Sequence, residues 1–250
     1  MPKFSQVFLA DRGICEKICN ALVGENFDYL VEIGPGGGAL TQILYPKYQG
    51  IMSAIEIDRD LVPELNKKYP ALNIINNDFM RTDIENAFPA GKIAFIGNLP
   101  YDCSTAILNK VLSFPRLSAA VFMFQKEVGM RIMAKPGSAD YGVLSISSFL
   151  RAESDLECLV KAGSFRPVPA VDSAVLKFRP KSAPLNMPSV NSLLKKAFMH
   201  RRKTLVNSLS LCGIDKKQAL EAFSCLGIPE RSRAQDISPE IYVRLAEFIS

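Results

Sequence analysis

The 250-residue sequence has no tryptophan and a single histidine, His200. One imidazole, set in a basic run with no carboxylate nearby in sequence, argues against Ser-His-Asp and Cys-His hydrolase arrangements. Zinc is short of ligands as well. The six cysteines stand at 15, 19, 103, 158, 212 and 225, and none forms a Cys-x-x-Cys pair. Cys15 and Cys19, spaced i,i+4, fit one helix face. The cysteines therefore read as small buried hydrophobes of a reducing compartment, and no metal is expected. No uncharged apolar stretch approaches the ~18 residues of a membrane span. Residues 1–6 lack the basic flank and apolar core of a secretion signal. A cytoplasmic protein without a membrane partner is the expectation.

Enough apolar sequence is present, at 48% hydrophobic against 22% charged residues, to exclude a disordered chain. The net charge of +5 is mild, but its location is informative. Residues 181–250 hold 11 Lys/Arg against 6 Asp/Glu, while residues 1–180 hold 19 of each. A neutral body with an appended surface for a polyanion follows.

Short apolar runs at 29–33, 51–55, 72–75, 93–96 and 119–124 read as buried strands. Helix-period segments at 39–45, 60–69, 105–112 and 126–134 alternate with them, and a helix near 13–22 precedes the first strand. Two more strands are expected around 156–161 and 174–178. That alternation predicts a doubly wound α/β sheet. The three prolines of 179–188 read as a linker. Beyond it, helical patterns cover 190–198, 204–211, 216–225 and 239–249, with Gly213 and Gly227 as stops. The expected domains are 1–180, α/β, and 181–250, a small all-helical basic cap.

The turn Gly34-Pro35-Gly36-Gly37-Gly38-Ala39 follows the first strand and opens a helix, which lets backbone approach a ligand closely. The string fits the dinucleotide pattern G-x-G-x-x-A, so an NAD-dependent oxidoreductase is one reading. The acids after the next two strands favour another. Glu56 would accept from both ribose hydroxyls of a nucleoside across the strand ends, and Asp78 from its exocyclic adenine amine. A sulfonium nucleoside satisfies this set without a pyrophosphate. Alternatively, both acids merely cap the helices that follow.

The fourth strand ends in Asn98-Leu99-Pro100-Tyr101. This tetrapeptide resembles the (N/D)-P-P-(Y/F) motif of S-adenosylmethionine-dependent amino-methyltransferases. An adenine amine is a poor nucleophile because its lone pair is delocalised into the ring. The Asn98 side-chain oxygen and the Leu99 carbonyl can each accept one N6 hydrogen and expose that lone pair. Tyr101 can stack on the base and favour the developing cation.

Further stretches narrow the resemblance to the KsgA-type ribosomal RNA adenine N6-dimethyltransferases: Phe4-Ser5-Gln6-Val7-Phe8-Leu9, Gln125-Lys126-Glu127-Val128, Pro136-Gly137-Ser138 with Tyr141-Gly142, Phe165-Arg166-Pro167-Val168-Pro169, and Arg201-Arg202-Lys203-Thr204-Leu205. The resemblance implies a Rossmann-like class I methyltransferase sheet with a small helical C-terminal domain, and S-adenosylmethionine as cofactor. It implies cofactor contacts at Val7, Leu9, Gly34, Glu56, Asp78 and Asn98, with Phe165 covering the second face of a flipped adenine opposite Tyr101. The implied substrate is two adjacent adenosines in the 3′-terminal hairpin of small-subunit rRNA, each receiving two methyl groups, and the implied partner is the small ribosomal subunit, met by a monomer. Val7 departs from the family's Asn or His, Gln235 from its glutamate, and Val206 from a basic residue.

Lys195, Lys196, Arg201, Arg202 and Lys203 are either a solvated face or, given an RNA substrate, a grip on its phosphates. Two rival functions share the layout: an Erm-type methyltransferase of large-subunit rRNA, and an assembly checkpoint on immature small subunits.

Overall fold

In the computed structural model, residues 7–181 and 186–249 are described. The chain divides into two compact units, Met1–Gly129 with Ala152–Pro180, and Met130–Arg151 with Lys181–Ser250.

Among the described residues, the first unit holds nine strands. These are β1 (Phe8–Leu9), β2 (Tyr29–Ile33), β3 (Met52–Glu56), β4 (Asn73–Asn76), β5 (Ile93–Asn98), β6 (Leu117–Gln125), β7 (Ala152–Val160), β8 (Phe165–Arg166) and β9 (Ser173–Pro180). Seven of them form one sheet in the order β4-β3-β2-β5-β6-β9-β7, while β1 and β8 pair as a separate two-stranded piece. β4, β3, β2, β5 and β6 run parallel; β9 inserts antiparallel between β6 and β7.

Burial follows position. β3 is buried at every residue, and β2 and β5 nearly so, as strands covered on both faces must be. β7, at the edge, exposes most of its length. Leu30, Ala94, Ile96, Val121 and Val175 form the sheet's contribution to one core, joined by Ile18 and Leu22 from the N-terminal helical segment. Each such side chain contributes about 1.5–3 kcal/mol by leaving water.

The order reverses at β2, where β3 and β4 lie to one side and β5 and β6 to the other. In an open parallel sheet this places a crevice beyond the carboxyl ends of β2 and β5. The expected doubly wound sheet is therefore present, with an antiparallel extension.

The second unit is helical: Val143–Arg151, Met187–Met199, Leu205–Leu211, Lys216–Leu226 and Pro239–Ile249. Asp215 caps one helix by accepting from Gln218 N at 2.9 Å, and Gly227 ends it with φ of +66°, as expected of a stop glycine.

The boundary corrects the sequence-based division. Residues 130–151 were expected in the α/β body, but they belong to the helical unit. The reason is packing, since Tyr141, Ile146 and Leu150 share a core with Leu194, Leu209 and Phe223. Charge then separates further. The helical unit holds 14 Lys/Arg against 7 Asp/Glu and the α/β unit 16 against 18.

Candidate active site

The crevice side of the sheet collects the residues singled out by motif. Gly34 to Gly38 continue β2, Glu56 ends β3, Asp78 follows β4, and Asn98 ends β5. Successive strands of a parallel sheet end on the same edge, so the chain order alone sets these groups side by side.

The glycine turn is held from within. Gly34 N donates to the Ile55 carbonyl at 2.9 Å and Gly38 N to the Pro35 carbonyl at 2.9 Å. Gly36 N donates to Glu56 Oε2 at 3.0 Å, while Asp58 N donates to Oε1 at 2.9 Å. Glu56 thus ties the glycine turn to the end of β3, as the ribose-binding acid of either nucleoside reading would. Each Glu56 oxygen keeps a further lone pair for a hydroxyl donor.

Gly36 has φ of +56°, and a Cβ there would lie 3.2 Å from Phe8 Cε1. Only glycine lets that ring rest on the turn.

Asp78 is partly exposed. Its Oδ1 accepts from Met80 N at 2.8 Å and its Oδ2 faces the exposed Arg81 at 3.8 Å. Neither acid acts as a helix cap. Helix Val62–Lys68 begins from Leu61, and Ile84–Ala87 is capped by Asp83.

Glu32, buried on β2, accepts from Thr41 Oγ1 at 2.6 Å. Burial, with Glu56 nearby as a like charge, raises its pKa to about 7.

Asn98 is oriented by what it touches. Its Nδ2 donates to the Val7 carbonyl at 3.1 Å. A carbonyl only accepts, so the amide presents nitrogen to Val7 and keeps Oδ1 as its acceptor. Leu99 buries its side chain. The Tyr101 hydroxyl shares a 2.7 Å hydrogen bond with Ser173 Oγ on β9, and Ser104 Oγ donates to the Tyr101 carbonyl at 3.1 Å. The hydroxyl end of the ring is thus anchored to β9, and the Tyr101 main chain to Ser104.

Two expectations need correction. Phe165 is fully buried, paired in register with Leu9, which is buried as well. Neither side chain offers a face to a base or cofactor in this arrangement. The reason is strand parity. On the β1–β8 pair, Leu9 and Phe165 turn inward, and Phe8 and Arg166 turn outward. Phe8 is therefore the aromatic of this segment that meets the glycine turn. Gly97 was missed too. A Cβ there would lie 2.5 Å from the Ile33 carbonyl oxygen, so β5 can approach β2 only with glycine before Asn98. Of the implied entrance segment, Phe4, Ser5 and Gln6 lie outside the described residues.

In the helical unit, Lys195, Arg202 and Lys203 are exposed and Lys196 is half-buried. Arg201 is committed elsewhere. Its Nη2 donates to the carbonyls of Ala139 and Tyr141 at 3.0 and 2.9 Å, and its guanidinium lies 5.8 Å from the centre of the Phe198 ring. It braces the 139–141 loop. Among the described residues every ion pair lies in the α/β unit. Among the described residues, no cation of the helical unit lies within ion-pair distance of a carboxylate.

Among the described residues no cluster of His, Cys, Asp or Glu could hold a metal ion. No described helix is long and apolar enough to cross a membrane.

Comparison with known proteins gives consistent results. The model of a family described as ribosomal RNA adenine dimethylase matches residues 1–250. The Ribosomal RNA small subunit methyltransferase A of Hahella chejuensis is 35% identical over 257 residues, covering 99% of this chain and 92% of that protein. A dimethyladenosine transferase from Plasmodium falciparum has a similar structure, with TM-score 0.82 and 28% identity over 95% of each chain. The 23S rRNA methyltransferase ErmE follows with TM-score 0.71 and 25% identity, covering 97% of this chain and 99% of that one.

Proposed function

The chain belongs to the ribosomal RNA adenine dimethylase family, and on that premise we propose that it dimethylates N6 of two adjacent adenosines in the 3′-terminal hairpin of small-subunit rRNA. The cofactor is S-adenosylmethionine. When bound, it supplies an electrophilic methyl group on a sulfonium and leaves as a neutral thioether.

The observation that carries this reading is the orientation of Asn98. With Nδ2 held by the Val7 carbonyl, Oδ1 is the atom left to accept an N6 hydrogen at the end of β5. A second acceptor, the Leu99 carbonyl, draws the nitrogen toward tetrahedral geometry. Tyr101, anchored through Ser173, supplies the stacking face. Methyl transfer leaves a cationic nitrogen that loses its proton readily to water, so no histidine is required.

Glu56 and Asp78 fit the nucleoside of the cofactor. Glu56 retains lone pairs for the ribose hydroxyls, and the partly exposed Asp78 accepts from the adenine amine. Val7 contributes its carbonyl and Gly34 the turn of the chain. Phe8, whose ring rests on the glycine turn, adds an apolar contact to the segment of Val7 and Leu9.

The helical unit holds the RNA backbone. Its excess of 14 basic over 7 acidic residues, with no ion pair among its described residues, leaves Lys195, Lys196, Arg202 and Lys203 for phosphates. The protein acts as a cytoplasmic monomer on the assembling small subunit, with shape adding to charge in selecting it.

The test offers labelled S-adenosylmethionine with either unmethylated small subunits or naked large-subunit rRNA. N6,N6-dimethyladenosine from the small subunit alone is expected. Label from large-subunit rRNA alone would move the chain to the function that ErmE's name describes.

A further inference from the structure

Lys110 lies in the helix Ser104–Leu112, which starts three residues after Tyr101. Its Nζ donates to three main-chain carbonyls of the turn that follows Asp78: Phe79 at 2.7 Å, Met80 at 3.1 Å and Thr82 at 2.8 Å. It also lies 5.0 Å from the centre of the Phe79 ring. All three donor hydrogens of the ammonium thus go to one turn.

That turn sets the conformation of Asp78. Met80 N donates to Asp78 Oδ1 at 2.8 Å, and Thr82 Oγ1 donates to the Asp78 carbonyl at 2.8 Å. Arg81 N and Thr82 N donate to the same carbonyl at 3.0 and 2.9 Å. Phe79 of this turn is buried edge-on to Phe95, at 6.0 Å between ring centres, and Lys110 gathers the carbonyls beside it. A cavity of about 210 Å³, lined by Phe79, Ile84, Phe95, Val111 and Phe114, adjoins the lysine there. The desolvation of the half-buried ammonium pushes its pKa below the usual lysine value, an energetic cost that a solvent-facing lysine would avoid.

We propose that Lys110 is a positioning residue for cofactor recognition: by gathering the 79–82 carbonyls it fixes the Asp78 carboxylate for the adenine amine. This rests on the reading of Asp78 as the adenine acceptor.

The test compares Lys110→Met, Lys110→Arg and Asp78→Asn, singly and with Lys110→Met and Asp78→Asn combined. S-adenosylhomocysteine binding is read by calorimetry, and KM and kcat by methyl transfer to small subunits. For Lys110→Met the dissociation constant and the KM for S-adenosylmethionine should rise about tenfold, with kcat at saturating cofactor within about twofold of wild type. Lys110→Arg, which restores donors, should recover most of the loss. In the Asp78→Asn background, Lys110→Met should add less than about twofold, because both changes act on one contact.

A Lys110→Met protein with a lower melting temperature but unchanged KM would overturn the proposal, since a merely structural lysine alters the folded fraction and not the affinity. Full additivity with Asp78→Asn would overturn it as well. Should Lys110→Met fail to fold, Lys110→Gln is judged by the same two criteria. If Asp78→Asn binds S-adenosylhomocysteine normally, the reading of the adenine site itself fails, and that outcome is distinct because it appears without any change at Lys110.

Discussion

Replacing Gly97 by alanine tests how closely the acceptor geometry depends on the meeting of two strands. A Cβ at this position would stand 2.5 Å from the Ile33 carbonyl oxygen and 3.2 Å from Leu99 Cδ2. β2 and β5 are parallel neighbours with Glu32 opposite Ile96, so the clash falls on backbone that cannot rotate away. To reach the 3.4 Å of ordinary contact, the end of β5 must retreat by about 0.9 Å. Overpacking of this kind costs about 1–3 kcal/mol of stability. The greater effect is on rate. Asn98 is the next residue, and a displacement near 1 Å at a reacting centre costs ~100-fold. Gly97→Ala should therefore remain folded at 25 °C, melt a few degrees lower, and lose about two orders of magnitude in kcat. Gly163→Ala, with nothing within 4 Å of its new Cβ, is the control and should behave as wild type. Methyl transfer to small subunits and thermal melting are the two assays. A folded Gly97→Ala enzyme with wild-type kcat would refute the claim that strand spacing places Asn98.

Glu32 predicts a pH dependence of stability. Its folded pKa of about 7 lies above that of an unfolded glutamate, so its contribution is fully favourable below about pH 4.5 and is lost as pH rises toward 7. Glu32→Gln should flatten that decline and raise the melting temperature at pH 8, by on the order of 3 kcal/mol of stability; an unchanged pH profile would contradict the assigned burial penalty. Tyr101→Phe keeps the ring but leaves the buried Ser173 hydroxyl without its partner. It should cost about 1 kcal/mol in stability and little in rate, whereas Tyr101→Ala should lose about 1–3 kcal/mol of base stacking, read as kcat/KM. Arg201→Ala should lower the melting temperature through loss of its contacts to Ala139 and Tyr141. Arg202→Ala with Lys203→Ala should instead leave melting unchanged and make the salt dependence of subunit binding shallower by about one to two charges.

How much of this was legible in the sequence depends on the range of the interaction involved. Gly34, Glu56, Asp78 and Asn98 could be placed together because successive strands of a parallel sheet end on one edge, and that rule needs only the order of the elements. The parity of the β1–β8 pair was not legible, because two-residue strands carry no periodicity of their own. Phe165 accordingly reads as a stacking ring by motif and turns inward by pairing. Residues 130–151 follow the fifth parallel strand and read as part of the body; what assigns them elsewhere is the burial of Tyr141, Ile146 and Leu150 among side chains from 190 onward. Arg201 and Arg202 are adjacent letters in one basic run. Only the backbone carbonyls of a loop about 60 residues away distinguish Arg201, a brace, from its exposed neighbour. Lys110 is invisible for a similar reason, since its three partners are main-chain oxygens that no side-chain pattern announces.

Charge divides along the same boundary. An excess first confined to residues 181–250 becomes 14 basic against 7 acidic residues once 130–151 join them, and the α/β unit is left slightly acidic. Of the two units, the helical one has the net charge that suits the anionic RNA proposed as substrate.

The central claim is that Asn98 presents its oxygen to an adenine amine of small-subunit rRNA. The most direct measurement quantifies N6,N6-dimethyladenosine at the 3′-terminal hairpin after incubating unmethylated small subunits with wild-type protein or Asn98→Ala. The account predicts two adjacent dimethylated adenosines with the wild type. With Asn98→Ala it predicts a loss of ~100-fold or more in rate, while the variant still binds subunits and S-adenosylhomocysteine. Wild-type methylation by Asn98→Ala, or label at any position other than adenine N6, would contradict it.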